Sequence, residues 1–354
     1  LEPADPRYTG ELLRGPVDPG GFLANRPWNA NYDVIQNCIA LMNHADADSG
    51  AMGFASTIHA YCLLRLISLT DVNGARLNYD GEISTAISTK AEVYTAIETL
   101  LDDGWAYLGS GQNSSALSFT LSTGFTGFDS THTFAKFNRA LRARVAVHQS
   151  EWNTALTALG NSFLDESGDL DMGVFHVFST GSNDQGNEMY EAWDADFVKL
   201  MVHPSYAADV ESGDGRYADK VSERPEELPR VTYDGLVSTL APIIWSSDLD
   251  PIPIIRNEEL ILLKAEADIA GGATGGLTEI NIVRAAHGLA GAGAGGLTQL
   301  LHEKRYSLLF EGQRLVDMRH YDKTGDLPLD RTGETDVPDD AIVTFPIPET
   351  ETPG

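Results

Sequence analysis

The sequence predicts a mainly α-helical protein in which successive helices fold back on one another. Apolar residues recur at intervals of three and four along much of the chain, the spacing of one helix face. Glycine-rich joints at residues 271–272 and 291–296 separate the last helices. Small residues at Ala140, Ala143 and Ala146 fit closely crossing helices, as in tetratricopeptide repeats. We therefore expect a tetratricopeptide-like scaffold of helical hairpins with a loop-rich insert.

Eight helices follow from the periodicity, and the segments between them read as loops. The predicted helices cover residues 28–42, 54–69, 90–108, 134–148, 151–164, 255–272, 277–289 and 297–320. Residues 1–27 contain many prolines and glycines and have no period, so they are predicted to be loop. Residues 165–255 are polar and rich in turn residues, with one plausible short strand at 174–178. We expect one domain over residues 1–354, with scaffold at 28–164 and 256–320 and insert at 165–255.

Charge and cysteine content restrict the possible partners. The formal net charge is -28 and no run of lysine or arginine occurs, which excludes nucleic acid as a partner and disfavours anionic membranes. Cys38 and Cys62 lie in apolar helical patterns and are predicted to be buried free thiols. The uncharged run at residues 51–64 is shorter than the roughly 20 residues of a membrane span.

Carboxylates lie within the apolar pattern of the last three helices, where they require arginines or backbone donors. We predict a structural network of Arg256, Glu259, Glu266, Arg284, Glu303, Glu311, Arg314 and Asp317. A catalytic pair is the alternative. On one continuous helix, however, Glu303 and Glu311 would lie roughly 12 Å apart, and a glycosidase pair requires about 5 to 9.5 Å.

The sequence predicts no catalytic residue, metal site or cofactor. Residues 291–296 read GAGAGG, but a helix precedes these glycines where a dinucleotide site would have a strand. The nucleophile-elbow, P-loop and zinc-protease motifs do not occur in the sequence. We therefore expect a protein that is not an enzyme.

Four short blocks near the C-terminus occur in a recognisable order. They are Arg256, Glu259, Leu262 and Ala265-Glu266-Ala267; Asn281, Val283, Arg284 and Gly288-Leu289; Glu303, Leu308, Glu311-Gly312, Arg314 and Asp317; and the run from Phe345 to Glu349. This order resembles the C-terminal signature of the SusD/RagB family, outer-membrane nutrient-binding lipoproteins of the starch-utilisation-system type. Ala286, Lys304 and Ser307 depart from the family pattern.

The resemblance implies a role in polysaccharide utilisation at the cell surface. A SusD-like protein captures an oligosaccharide or peptide nutrient and passes it to a TonB-dependent, SusC-like outer-membrane transporter, without a cofactor. It lies on the extracellular face of the outer membrane, held by a lipid anchor. We expect that anchor, and the first helices of the family fold, to be absent from this chain.

Sugar binding requires aromatic faces for stacking and polar side chains for the hydroxyls. The preferred site is Asn187, Tyr190, Trp193 and Asp194, with Tyr8, Arg14 and Asn29 as the opposing wall. Family resemblance also implies that the motif Asp214-Gly215-Arg216 lies in an insert beside the ligand face.

The alternative function is a tetratricopeptide-type adaptor that binds a protein or peptide segment in a concave groove. Exposed Tyr190 and Trp193 in a pocket would favour the nutrient-binding function, and a bare helical groove would favour the adaptor.

Overall fold

The computed structural model describes residues 10–12, 15–81, 85–196, 198, 200–228, 231–233, 236–272, 274–329 and 342–351. Helices dominate, and the short strands of these residues form three two-stranded antiparallel sheets. The mainly α-helical fold class is therefore confirmed. The chain divides into two compact units. We call residues 15–165 with 342–354 the N-terminal unit, and residues 1–14 with 166–341 the C-terminal unit. A single domain stays a prediction.

The N-terminal unit is a series of helical hairpins. Its helices are α1 (Phe22–Met42), α2 (Ser49–Thr70), α3 (Lys90–Tyr107), α4 (Thr131–His148) and α5 (Trp152–Gly160). Each helix packs against the next in the chain, and α2 contacts both α1 and α3. A Cβ at Gly53 would lie 2.5 Å from the Leu108 side chain, so glycine permits the close approach of α2 to the end of α3.

Helix α2 is the central helix of this unit. With the turn that follows it, the segment is long and apolar enough to cross a membrane by length and composition alone, but 67% of its most apolar window is buried inside the fold. Asp48 caps it by accepting a hydrogen bond from the Ala51 amide at 2.8 Å. Cys38 of α1 and Cys62 of α2 are buried free thiols, as predicted. Burial raises the pKa of Cys38 to about 11 and that of Cys62 to about 12.

Helix α1 begins earlier than predicted. The expectation of loop over residues 1–27 was wrong for residues 22–27, because α1 begins at Phe22 and contains Pro27. Proline lacks the amide that would continue the helical hydrogen-bond ladder, which explains why the sequence pattern favoured a later start. Ala24 and Trp28 are buried on the same helix, so packing compensates for the missing bond.

The described residues of the C-terminal unit combine six short strands with six helices. The helices are α6 (Ser205–Ala208), α7 (Gly215–Lys220), α8 (Asn257–Gly271), α9 (Leu277–Ala286), α10 (Leu297–Ser307) and α11 (Arg314–His320). The strands are β1 (Gly173–His176), β2 (Val221–Glu223), β3 (Val231–Tyr233), β4 (Leu236–Ser238), β5 (Leu240–Pro242) and β6 (Ile252–Arg256). Strand β1 pairs with β6, β2 with β5, and β3 with β4. Helix α8 contacts both α9 and α10.

Two boundaries near the C-terminus differ from the prediction. The helix expected from residue 255 begins at Asn257, because residues 252–256 pair as a strand with β1. The single helix expected over residues 297–320 is two helices, since Phe310 and Gly312 have φ angles of 63° and 79°. A helix cannot pass through such angles, so the axial distance of roughly 12 Å expected between Glu303 and Glu311 does not apply.

Buried arginines bind the predicted carboxylates of the C-terminal unit. Arg256 pairs with Glu311 at 2.9 Å and with Glu258, and it donates to the Ser307 carbonyl at 2.6 Å. Arg284 pairs with Glu303 at 2.8 Å. Burial opposes the charge of Glu258, but Arg256 holds the pKa of that carboxyl well below its usual range.

A second buried group surrounds Lys304 of α10. Its Nζ pairs with Glu266 at 2.9 Å and with Asp317. The Tyr321 hydroxyl donates to Glu266 at 2.7 Å. Burial alone would lower the pKa of Lys304, but the two carboxylates raise it, while burial raises the pKa of Asp317 to about 6. Lys304, at a position that departs from the family pattern, thus binds helices α8 and α11 to α10.

The remaining predicted network residues have different environments. Glu259 is buried in α8. Arg314 donates to the Leu301 carbonyl at 3.0 Å. In the motif Asp214-Gly215-Arg216, Arg216 is fully buried and pairs with Asp214 and Glu303, each at 2.7 Å. Arg216 thus neutralises a buried glutamate of α10, and the position of the motif beside a ligand face stays a prediction.

Replacement of Lys304 by methionine should destabilise the protein strongly. The substitution leaves Glu266 and Asp317 as uncompensated buried carboxylates, which costs about 3–5 kcal/mol of the free energy of unfolding. Urea denaturation followed by circular dichroism measures this loss. The neutral variant Lys304→Met/Glu266→Gln/Asp317→Asn should recover part of it.

The matched control is Lys323→Met, because Lys323 forms a surface pair with Asp326 at 3.2 Å. Such a pair contributes less than about 1 kcal/mol. Equal losses in the Lys304 and Lys323 variants would contradict the assigned role of the buried group.

Candidate functional site

The loop that contains Tyr190, Trp193 and Asp194 lies in the C-terminal unit. Trp193 is 37% exposed, so part of its indole faces solvent. Asp194 is exposed beside it, and Tyr190 is half-buried. The loop thus presents an indole, a phenol and a carboxylate within five residues, the combination predicted to bind sugar.

Asn187 holds the start of this loop. Its side-chain amide donates to the Asp250 carbonyl at 2.9 Å, and its Oδ1 accepts from the Met189 amide at 2.9 Å. Its own backbone amide donates to the Asp248 carbonyl at 2.6 Å. Because Asn187 is only 2% exposed, it positions the loop and is not available to a ligand.

Arg224 fixes the main chain at Trp193. Its guanidinium donates to the carbonyl oxygens of Trp193 and Ala195, each at 2.8 Å, and the residue is 5% exposed. Further along the loop, the Glu191 carboxylate accepts from the Leu200 amide at 2.9 Å. The indole therefore projects from a backbone that is already ordered, which reduces the entropy lost on binding.

Sequence reasoning missed Arg224. The residue follows β2, and its backbone amide donates to the Thr239 carbonyl at 2.8 Å next to β5. Its side chain reaches a loop about thirty positions earlier in the chain. A contact between such distant positions cannot be predicted from the local spacing of residues.

The predicted opposing wall is only partly described. Tyr8 and Arg14 fall outside the described residues. Asn29 lies in the N-terminal unit, exposed on α1, where it lines a cavity with Trp28 and Tyr32. That Tyr8, Arg14 and Asn29 face the Trp193 loop stays a prediction.

A separate groove of about 290 Å³ lies among α3, α4 and α5 of the N-terminal unit. Arg139 and Arg142 line it, with Trp105 and the polar side chains of α5. The Arg139 guanidinium lies 4.7 Å from the Trp105 ring centre and pairs with Asp102 at 2.8 Å. Its other bonds are to Asn138 and the Leu101 carbonyl, so internal contacts already use the nitrogens of Arg139.

Within the described part of the chain, no group of three or more histidine, cysteine, aspartate or glutamate side chains is arranged to hold a metal ion.

Replacement of Arg224 by glutamine should loosen the Trp193 loop. The loss of two charge-assisted hydrogen bonds, worth about 1.5–3 kcal/mol each, should speed amide exchange in residues 190–196 at least about tenfold. Hydrogen–deuterium exchange with mass spectrometry measures this effect. The control is Arg305→Gln, since Arg305 bonds to Asp209 and Ser205 and not to the loop. Equal exchange in both variants would contradict the role of Arg224.

Comparison with known proteins identifies the fold. No protein-family model and no curated protein sequence matches the chain. Solved structures do match over nearly the whole chain. A laminarin-binding SusD-like protein is 18% identical with a TM-score of 0.62, and the alignment covers 94% of this chain and 84% of that protein.

Two further solved structures agree. Surface glycan-binding protein A from Bacteroides uniformis is 16% identical with a TM-score of 0.68, over 92% of this chain and 82% of that protein. A SusD superfamily protein from Parabacteroides distasonis is 16% identical with a TM-score of 0.63, over 95% and 84%. The chain has the SusD-like fold.

Proposed function

We propose that this chain is a cell-surface glycan-binding protein of the SusD/RagB type, which captures an oligosaccharide without cleaving it. The observation that carries the proposal is the exposed Trp193, held on an ordered backbone beside Asp194. Two structures that share the fold are described as laminarin-binding and as surface glycan-binding, which supports the same ligand class for this chain.

The chemistry of the loop suits a neutral sugar. The apolar face of a pyranose ring stacks on an indole, and the half-buried Tyr190 lies three residues before Trp193 in the same loop. Asp194 supplies carboxylate oxygens that accept hydrogen bonds from the sugar hydroxyls. An exposed platform of this kind gives modest affinity, which suits capture and release better than permanent retention.

The carboxylates that sequence analysis weighed for catalysis support a binding role. Glu303 is fully buried and pairs with Arg216 and Arg284. The side chain of Glu311 is buried against Arg256. A glycosidase needs one carboxylic acid that can donate a proton and one carboxylate that is free to attack or to activate water. Neither role suits a carboxylate that arginines already bind in the interior.

The biological setting follows from the family resemblance. The protein would act on the extracellular face of the outer membrane, held by a lipid anchor, and would pass its ligand to a TonB-dependent, SusC-like transporter. The proposed mechanism is capture followed by handover, and it needs no cofactor. The four C-terminal sequence blocks and the SusD-like fold support this setting.

The alternative is an adaptor that binds a protein or peptide segment. The groove among α3, α4 and α5 favours it, because asparagine, threonine and arginine side chains line a concave helical surface. The exposed Trp193 has no part in this alternative. If the nutrient is a peptide in place of a glycan, Trp193→Ala is still the variant that tests the site.

Isothermal titration calorimetry with laminarihexaose, followed by cello-, malto-, xylo- and mannohexaose, tests the proposal. The wild-type chain should bind at least one of these saturably. Trp193→Ala should weaken that binding about tenfold or more, because one stacked ring contributes about 0.5–1.5 kcal/mol beyond the apolar area it buries.

The control is Tyr107→Ala, which removes an aromatic side chain of similar exposure, 39%, from α3. If the wild-type chain binds none of these hexasaccharides, the proposed glycan binding is contradicted. A loss that is equal in both variants would contradict the Trp193 site.

A further inference from the structure

We propose that the N-terminal unit carries a separate carbohydrate subsite, a pocket that receives one neutral pyranose unit between α1 and the segment that follows α2. This subsite rests on the proposed glycan-binding function, but it does not include the Trp193 loop. Its walls are the rings of Tyr32 and Tyr79, and its rim is a polar face of α1. The pocket is open to solvent and measures about 240 Å³.

The aromatic wall is built from three rings. The ring centres of Trp28 and Tyr32 lie 4.8 Å apart at 44°, and those of Tyr32 and Tyr79 lie 6.5 Å apart at 52°. Trp28 is buried and packs against Tyr32, both tyrosines are half-buried, and all three residues line the cavity. Apolar ring surface is therefore available at the wall for contact with the C–H face of a sugar.

Both phenol hydroxyls are already bonded within the protein. The Tyr32 hydroxyl donates to the Arg76 carbonyl at 2.8 Å and accepts from the Arg76 amide at 2.7 Å. The Tyr79 hydroxyl lies 2.9 Å from Nε2 of His59. Burial lowers the pKa of His59 to about 4, so this imidazole is neutral at pH 7. The hydroxyls therefore fix the orientation of the rings, which contribute stacking surface to the pocket.

Arg76, the one cation among the described residues that line the pocket, is also bound internally. The Arg76 guanidinium pairs with the Glu351 carboxylate at 2.8 Å and donates to the Glu351 carbonyl at 2.8 Å. It donates further to the Thr85 carbonyl at 3.1 Å. Asp33 adds a negative charge at the rim. This balance disfavours phosphate, sulfate or uronate groups and favours an uncharged ligand.

The rim offers polar side chains that are exposed. Asn29, Asp33 and Gln36 are exposed on one face of α1, at spacings of four and three residues. Among the described residues, the Asn29 and Asp33 side chains have no hydrogen-bond partner, and Gln36 makes only a long contact of 3.5 Å to the Tyr79 carbonyl. An amide that both donates and accepts, next to a carboxylate that accepts, matches a pair of sugar hydroxyls.

The pocket differs in this respect from the groove among α3, α4 and α5. There the nitrogens of Arg139 are bound to Asp102, Asn138 and the Leu101 carbonyl. Around Tyr32 and Tyr79 the groups that hold the rings are bonded, while Asn29 and Asp33 at the rim have no partner among the residues that the structure describes. A fixed aromatic wall with unused polar groups at its mouth is the arrangement that sugar recognition requires.

The test is calorimetry of Asp33→Ala/Gln36→Ala, which leaves Asn29 of the predicted Trp193 site unchanged, with the hexasaccharide that the wild-type chain binds most tightly, beginning with laminarihexaose. Loss of two hydrogen bonds to sugar hydroxyls should weaken binding about tenfold or more. Asn37→Ala is the matched control, because Asn37 is exposed on the same helix and does not line the pocket. All changes are at exposed positions of α1, and unchanged thermal melts check that folding is intact.

Three outcomes separate the proposals. A loss in the double variant but not in Asn37→Ala supports the subsite. If the double variant and Asn37→Ala both bind as tightly as the wild-type chain, the subsite is overturned and the glycan-binding function stays intact. No binding by the wild-type chain to any hexasaccharide overturns both.

Discussion

The C-terminal unit depends on ionic contacts in its interior, and these contacts converge on α10 and the turn after it. Arg216 reaches Glu303, Arg256 reaches the Ser307 carbonyl, and Lys304 joins α10 to carboxylates of α8 and α11. Buried ion pairs of this kind add little net stability compared with apolar packing, but loss of one partner is costly. They therefore fix how the helices are placed, and a scaffold fixed in this way can carry loops whose sequences serve recognition.

The same principle operates around the aromatic residues proposed to bind sugar. Arg224 binds two carbonyls of the Trp193 loop, and the hydroxyls of Tyr32 and Tyr79 are bonded within the N-terminal unit. In each case a guanidinium or a hydroxyl that could bind a ligand is bonded within the protein, and these bonds hold the aromatic rings in place. Preorganised apolar surface with a few exposed polar neighbours is a means of binding neutral glycans with modest affinity.

Much of this architecture was predictable because helix periodicity and charge placement are properties of short stretches. The carboxylates at Glu266, Glu303 and Asp317 stood out because charges on apolar helix faces require partners. The partners were harder to identify. Arg216 was not predicted as a partner, although it binds Glu303, which lies almost ninety positions later, in the interior. Such contacts are determined by tertiary packing, which spacing in the sequence does not record.

Backbone conformation accounts for the other errors. Residues 297–320 have the periodicity of one helix, but the left-handed conformations at Phe310 and Gly312 divide it in two. The run of isoleucines before Arg256 reads equally well as helix or strand, and pairing with β1 decides it. In the predicted sugar site, the position of Trp193 in a loop predicted that its side chain would be exposed. The position of Asn187 in the same loop did not predict that this residue is buried.

The most direct test of the account is equilibrium dialysis of the wild-type chain against fluorescently labelled laminarihexaose and the other hexasaccharides, with chromatography of the recovered sugar. The account predicts saturable uptake of at least one oligosaccharide, recovered at its original length. Shorter products would contradict the account, because they would require a carboxylate pair where the structure has ion pairs. Absence of uptake across the whole panel would contradict the assignment of a glycan ligand.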